Sequence, residues 1–344
     1  MQITDQFLRK INYLRVSVTD RCDLRCVYCM KEKMNFLPKN EVLSLEEIER
    51  LCDNFIDLGV EKIRLTGGEP LVRKDIIHLI KNLNKKKSVS NLKEITLTTN
   101  GSLLKKFAKE LKNNGINRIN VSLDTIIKDK YKEITRFGNL DNVLDGIEEA
   151  KKNDIKVKIN TVVFKNFNEN QISDLVYWAN KKLIDITFIE VMPMNDTDMP
   201  RHMQFVSLEN VYKELDKKFK FENSDYNTGG PSNYYVSKKL NIKVGFITPL
   251  SNNFCASCNR VRISSTGKLY MCLGQNDFID FREILRTDRS DDYIKEKIKF
   301  ALSIKPKKLT FISNDRELSE SLKSISELNG VKYSFEHIAK DSHH

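Results

Sequence analysis

No apolar run in this chain approaches the roughly 18 residues that a membrane-crossing helix needs. The opening stretch, MQITDQFLRKINYLRVSV, lacks the basic, apolar and small-residue succession of a secretory signal. A membrane partner is therefore not expected, and the chain is expected in the cytoplasm. Low-complexity tracts are missing as well, and 40% apolar with 31% charged residues is the composition of an ordinary folded protein. Histidine is scarce: of the five, His78 and His202 show no ligand spacing, and His343 with His344 reads as a loose terminus. Long runs of one charge are also lacking. The net charge of +11 is scattered over helix surfaces, with one short lysine run at positions 85–87. That distribution reads as a solvated surface with no nucleic-acid partner, although several cations converging on one pocket would suit a phosphorylated small substrate.

A regular alternation is present instead. Short β-branched runs at 13–18, 62–66, 94–99, 118–123, 156–163 and 185–192 read as strands. Amphipathic stretches at 44–58, 74–83, 103–114, 140–153 and 170–182 read as the helices between them. In the first helix, Ser44 and Glu47 form a capping box and Gly59 is the stop signal. Strands separated by helices predict an α/β fold, a parallel sheet curled into a partial (β/α)6 TIM-like barrel with functional groups at the carboxyl ends of the strands. A chain of 344 residues exceeds the usual size of one domain. The pattern weakens after Met192, and the expected division is a barrel over 1–232 and a C-terminal region over 233–344.

Seven cysteines in a reducing compartment read as metal ligands or thiols rather than disulfides. Cys22, Cys26 and Cys29 follow the first strand with C-x3-C-x2-C spacing, and neither a fourth cysteine nor a histidine lies nearby. A structural zinc site lacks a ligand here. Three thiolates on a [4Fe-4S] cluster instead leave one iron open for a small molecule. Cys255, Cys258 and Cys272 form a second set of three. Its spacing alone fits a zinc loop as well as a cluster, but two such sets in one chain favour two [4Fe-4S] clusters. Cys52 falls on the apolar face of the first helix and reads as a core residue.

The cysteine spacing after the first strand resembles the radical S-adenosylmethionine (SAM) enzymes. The stretches LRVSVTDRCDLRCVYCM, IRLTGGEPLVRKD, LTTNG, INVSLD, FIEVM, GFITP and FCASCNRVRISSTGKLYMCL resemble, in that order, a GTP-cyclising family of molybdenum-cofactor biosynthesis. The resemblance implies SAM on the open iron of the first cluster and GTP lying between two clusters. A hydrogen is then removed from ribose C3′, and C3′ bonds to C8 of guanine. By the same resemblance, Tyr28, Gly68, Ser122 and Met192 contact SAM, while Arg15, Arg64, Thr98, Lys158, Arg260, Val261 and Arg262 contact GTP. It also implies a reductant such as flavodoxin, a homodimer, and cyclic pyranopterin monophosphate synthase as the downstream enzyme.

Parts of this agree with the residues themselves. Gly67 and Gly68 directly follow a strand, where absent side chains let the backbone approach a ligand. Arg15, Arg64 and Lys158 fall on separate strands that a barrel can converge on one triphosphate. Glu69 and Asp124 are expected in capping or turn roles, since radical chemistry needs no acid/base dyad. The two metal centres are expected to face each other across the barrel mouth. Two departures leave open a paralogue acting on another nucleotide or a peptide: Thr187 stands where the family carries arginine, and the chain runs on past Asn329 and Gly330 to His344.

Overall fold

The computed structural model describes residues 2–192, 204–251, 254–273, 277–287 and 289–308. His202, the Asn329 and Gly330 pair and the terminal histidines lie outside the described residues. The six expected strands form in the expected order: β1 (Tyr13–Ser17), β2 (Lys62–Thr66), β3 (Glu94–Thr99), β4 (Arg118–Ser122), β5 (Lys156–Val163) and β6 (Asp185–Glu190). Each pairs in parallel with the next. Helices α1 (Leu45–Asp57), α2 (Ile76–Lys86), α3 (Leu104–Asn113), α4 (Lys128–Thr135), α5 (Leu140–Lys152) and α6 (Ile172–Lys182) connect them.

Local chemistry accounts for the well-marked elements. The Glu47 amide donates to Ser44 Oγ at 3.1 Å and the Ser44 amide donates to Glu47 Oε2 at 2.7 Å, closing the capping box on α1. Ile48, Leu51, Cys52, Phe55 and Ile56 form its buried face. Helix α4 escapes sequence reading because Ile127 at its N-cap supplies no side-chain cap.

Beyond β6 the chain forms α7 (Leu208–Phe219), β7 (Glu222–Ser224), β8 (Asn233–Val236), β9 (Val244–Ile247), β10 (Arg260–Ile263), β11 (Lys268–Tyr270), β12 (Phe278–Asp280), α8 (Arg282–Arg286) and α9 (Asp291–Ser303). These late strands extend the same sheet rather than building another. β9 runs parallel beside β6 and β10 runs parallel beside β1, so eight parallel strands are flanked by two antiparallel ones at each edge. Among the described residues no helix is long and apolar enough to cross a membrane.

The strands alternate in an informative way. Leu14, Val16, Ile63, Leu65, Ile119, Val121, Ile186 and Phe188 are buried in the apolar core shared with the helices, each contributing about 1.5–3 kcal/mol. Parallel strands covered on both faces ordinarily read as unbroken apolar runs. Here most of the alternate residues are polar, so the inner face serves another purpose. Across it, Arg262, Arg15, Arg64 and Thr96 stand in one row, with Arg260, Tyr13, Lys62 and Glu94 in the row toward the amino ends.

Candidate active site

The loop bearing Cys22, Cys26 and Cys29 begins five residues after β1 ends. None of the three is in a disulfide. The loop is docked by main-chain bonds: the Arg25 and Val27 amides donate to Thr135 O at 3.1 Å and Ile134 O at 2.9 Å, using the carbonyls that end α4. Arg136 adds 3.2 Å bonds from Nη1 to Arg25 O and Met30 O. Burial pushes the Cys22 thiol up to about 12, and burial with the neighbouring Cys29 charge pushes Cys26 well up. These thiols hold their protons until a strong cation displaces them, and metal binding does that. Among the described residues no three or more His, Cys, Asp or Glu side chains are gathered closely enough to hold a metal ion; the fit to an iron-sulfur cluster lies in the donor set, three thiols on one anchored loop.

Residues expected to meet SAM gather at the same, carboxyl end of the sheet. Gly68 sits two residues past β2, Ser122 ends β4 and Met192 lies two residues past β6. The Tyr28 hydroxyl donates to Asp124 Oδ2 at 2.8 Å, and Asp124 Oδ1 accepts from the Val162 amide at 2.8 Å. Burial pushes Asp124 up to about 6. Glu69 is fully buried, and its carboxyl accepts from the Leu71 and Asn100 amides and from Thr99 Oγ1. Both acids thus fasten loops together, as their expected capping and turn roles require.

Gly68 has a packing reason to be glycine. A Cβ there would lie 2.3 Å from Arg21 O and 2.8 Å from Asp20 O, inside the backbone that leads to Cys22. The Gly68 and Glu69 amides donate at 2.9 Å to Thr19 O and Arg21 O, which fixes that approach. Gly68→Ala is therefore expected to displace the cysteine loop and cut iron retained by the first centre by more than half, while far-ultraviolet circular dichroism stays unchanged. Iron quantitation after desalting checks this, and full iron retention would refute it.

The inner face beyond that end is strongly basic. Arg15 lies between Arg262 and Arg64 in register. Arg64 Nε donates to Tyr13 Oη and its Nη1 to Thr98 Oγ1 at 3.1 Å. Lys158 Nζ donates to Tyr234 Oη at 2.9 Å. Burial, with the neighbouring Arg15 and Arg260 charges, presses Arg262 down to about 9, and burial brings Arg15 to about 10. Burial raises the Tyr13 phenol, but Arg64, Arg15 and Lys62 outweigh it and hold it at about 8. Guanidinium groups keep their protons at neutral pH, so these displacements report burial first and crowded positive charge second, and a polyanion would relieve the crowding. Buried Asn120 Oδ1, Asn160 Oδ1 and Arg260 Nε have no hydrogen-bond partner among the described residues, which also fits a polar guest.

Three members of this lining were missed in the sequence: Tyr13, Lys62 and Tyr234. Lys62 Nζ meets Glu94 Oε2 at 2.9 Å and Thr228 O at 2.7 Å; its place two residues before Arg64 on one strand was the available signal. Val261 turns its side chain into the apolar core, away from Arg260 and Arg262. Thr187 is fully buried, in register between Asn160 and Gly245.

The second thiol set lies at the other end of the barrel. Cys258 sits two residues before Arg260, which pairs with Tyr13 at the amino end of β1; β11 runs antiparallel to β10 and returns the chain to Cys272 at that level. The two sets thus stand at opposite ends of the inner face rather than across one mouth, separated by the five residues of β1, about 16 Å of strand. The expectation of a shared mouth failed because it placed every functional loop at the carboxyl ends. Burial raises both thiols; for Cys258 the Lys305 and Arg260 charges outweigh it and bring the group below its ordinary value, while Cys272 stays at about 11.

A partial barrel with a three-thiol loop beyond its first strand defines a radical SAM enzyme, and residues 16–179 match the Radical SAM superfamily model. Residues 184–311 match the Molybdenum Cofactor Synthesis C model. The chain is 52% identical over 313 residues, 91% of its own length and 91% of theirs, to the GTP 3′,8-cyclases of Brucella ovis and Brucella canis. It belongs to the GTP 3′,8-cyclase family. Solved structures share the fold: Streptococcus suis SuiB bound to S-adenosylmethionine at 20% identity and TM-score 0.60 over 84% of this chain and 68% of that one, and anSMEcpe with bound AdoMet at 16% and 0.55 over 92% of each. The chain thus belongs to this family despite the departure at Thr187; the other departure, the run past Asn329 and Gly330, lies outside the described residues.

Proposed function

We propose that this chain holds two [4Fe-4S] clusters and converts GTP to (8S)-3′,8-cyclo-7,8-dihydroguanosine 5′-triphosphate in molybdenum-cofactor biosynthesis. The carrying observation is the pair of three-thiol sets at opposite ends of one inner face with cationic rows between them. Cys22, Cys26 and Cys29 hold the first cluster. Cys255, Cys258 and Cys272 hold the second, with Arg260 and Arg262 on the strand that leaves it. With SAM on the open iron, the cluster held by Cys22, Cys26 and Cys29 would supply one-electron chemistry for removing the ribose C3′ hydrogen; C3′ would then bond to C8 of guanine, and one further electron from the reductant with one proton would complete the dihydro product.

The chain's own residues do the positioning. Tyr28, Gly68, Ser122 and Met192 surround SAM at the carboxyl end, near the first cysteine loop. Arg15, Arg64, Thr98, Lys158, Arg260 and Arg262 hold GTP along the inner face, and Val261 contributes at most its main chain. Their charges are fixed before the nucleotide arrives, so little reorganisation accompanies binding. Residues 1–232 supply the SAM side and 233–344 the second cluster, joined through one sheet. A reductant such as flavodoxin and cyclic pyranopterin monophosphate synthase stand before and after this step.

Anaerobically loaded protein given SAM and each nucleoside triphosphate in parallel should form 5′-deoxyadenosine stoichiometric with a cyclised product from GTP alone. Product mass decides it. Deoxyadenosine formed at the same rate without GTP, or a product from another nucleotide, sinks the reading.

A further inference from the structure

We infer that Lys305 is the built-in counter-charge of the second thiol set, a positioning residue that makes that centre easier to form and to reduce. The inference rests on the two-cluster reading above. Lys305 follows α9 and is only 1% exposed. Its ammonium donates to Met271 O, the carbonyl next to Cys272; burial works against its charge, and Cys258 and Cys272 offset part of that. Among the described residues no carboxylate lies within ion-pair distance of Lys305. The acid whose charge reaches it is Asp5, which already meets Arg9 Nε at 2.5 Å and accepts from the Phe7 amide at 2.9 Å.

A buried lysine keeps its proton when negative charge faces it and otherwise tends to neutralise. Here Cys258 and Cys272 contribute more of it than Asp5 does. Three thiolates on a [4Fe-4S] cluster carry a net negative charge that grows on reduction, and nearby positive charge favours that reduced state.

The placement of this lysine is also built. Gln6 Nε2 donates to Lys305 O at 3.0 Å. Arg9 donates to Pro306 O at 2.6 Å, to Lys307 O at 3.0 Å and to Cys255 O at 2.8 Å. One arginine from the N-terminal arm thus ties the segment carrying Lys305 to the loop carrying Cys255. Nothing in the proposed binding of GTP or SAM uses that strap, and holding the ammonium on the Met271 carbonyl beside Cys272 gives it a purpose.

The test uses full-length protein, Lys305→Met and Lys305→Arg, each loaded anaerobically with iron and sulfide. The quantities read are iron per chain and the potential of the paramagnetic signal that responds to GTP. The expected result is that Lys305→Met loads both centres but shifts the second to lower potential, by at least a tenfold change in its oxidised-to-reduced ratio, 59 mV for a one-electron couple. Failure of the methionine variant to load the second centre, restored in the arginine variant, supports the same role. An unchanged potential in Lys305→Met overturns it, as does failure of both variants to load, which would mark a purely steric residue. If the wild-type chain itself loads one centre only, the two-cluster reading has failed instead.

Discussion

Alanine at Cys22, Cys26 or Cys29 is expected to bring 5′-deoxyadenosine formation to the background rate and to remove about four of about eight irons per chain. The chain should survive the change. The loop is held in place by the Arg25 and Val27 amides on α4 and by Arg136, bonds that need no sulfur. The buried thiols, meanwhile, gain nothing from ionising unless a metal takes the proton's place. Loss of cleavage with an unaltered circular dichroism spectrum therefore assigns the effect to the centre. Substantial cleavage remaining in any of the three variants would place the SAM-binding centre elsewhere. The matching changes at Cys255, Cys258 or Cys272 should remove the same amount of iron but leave GTP-independent cleavage measurable, because they lie at the other end of β1.

Arg262→Met should lower kcat/KM for GTP by about 30- to 5000-fold, the equivalent of about 2–5 kcal/mol for removing one partner of a buried charge pair. SAM cleavage uncoupled from GTP should persist. A second consequence has the opposite sign. Without nucleotide, Arg262 is buried and crowded by Arg15 and Arg260, and its depression to about 9 reports that folding works against its charge. Since its folded value lies below its usual 12.5, the penalty is present at neutral pH and fades only as pH rises through about 9. Removing the charge should therefore raise the melting temperature of the ligand-free protein while abolishing most of the further rise that GTP produces. Thermal scans with and without GTP, beside steady-state kinetics, check both signs. An unchanged kcat/KM would remove Arg262 from the site. The trade of stability for binding is common where like charges are gathered for a ligand.

Much of the barrel was legible because its signals are local. Apolar periodicity, the Ser44 and Glu47 capping box and the Gly59 stop lie within one helix, and all six strands were visible as β-branched runs. What escaped had no local mark. Helix α4 lacks a capping side chain, and β10 is a four-residue strand whose Arg-Val-Arg reads equally well as a loop. Lys62 and Tyr13 look like ordinary strand residues until register sets them beside Glu94 and Arg260. Lys305, in a lysine-rich tail, is indistinguishable by sequence from its exposed neighbours.

By itself the sequence determined the fold class, the two sets of three thiols and the cations available for a nucleotide, because periodicity and ligand count are properties of short segments. Only the tertiary structure decided that the late strands close onto both edges of the barrel. That pairing sends the second thiol set to the end opposite the first, turns Val261 outward and Arg262 inward, and buries Lys305 on the Met271 carbonyl next to Cys272. The reason is physical: which face a side chain takes and which charges become neighbours depend on strand register and long-range pairing, and those are set by the burial of the whole sheet.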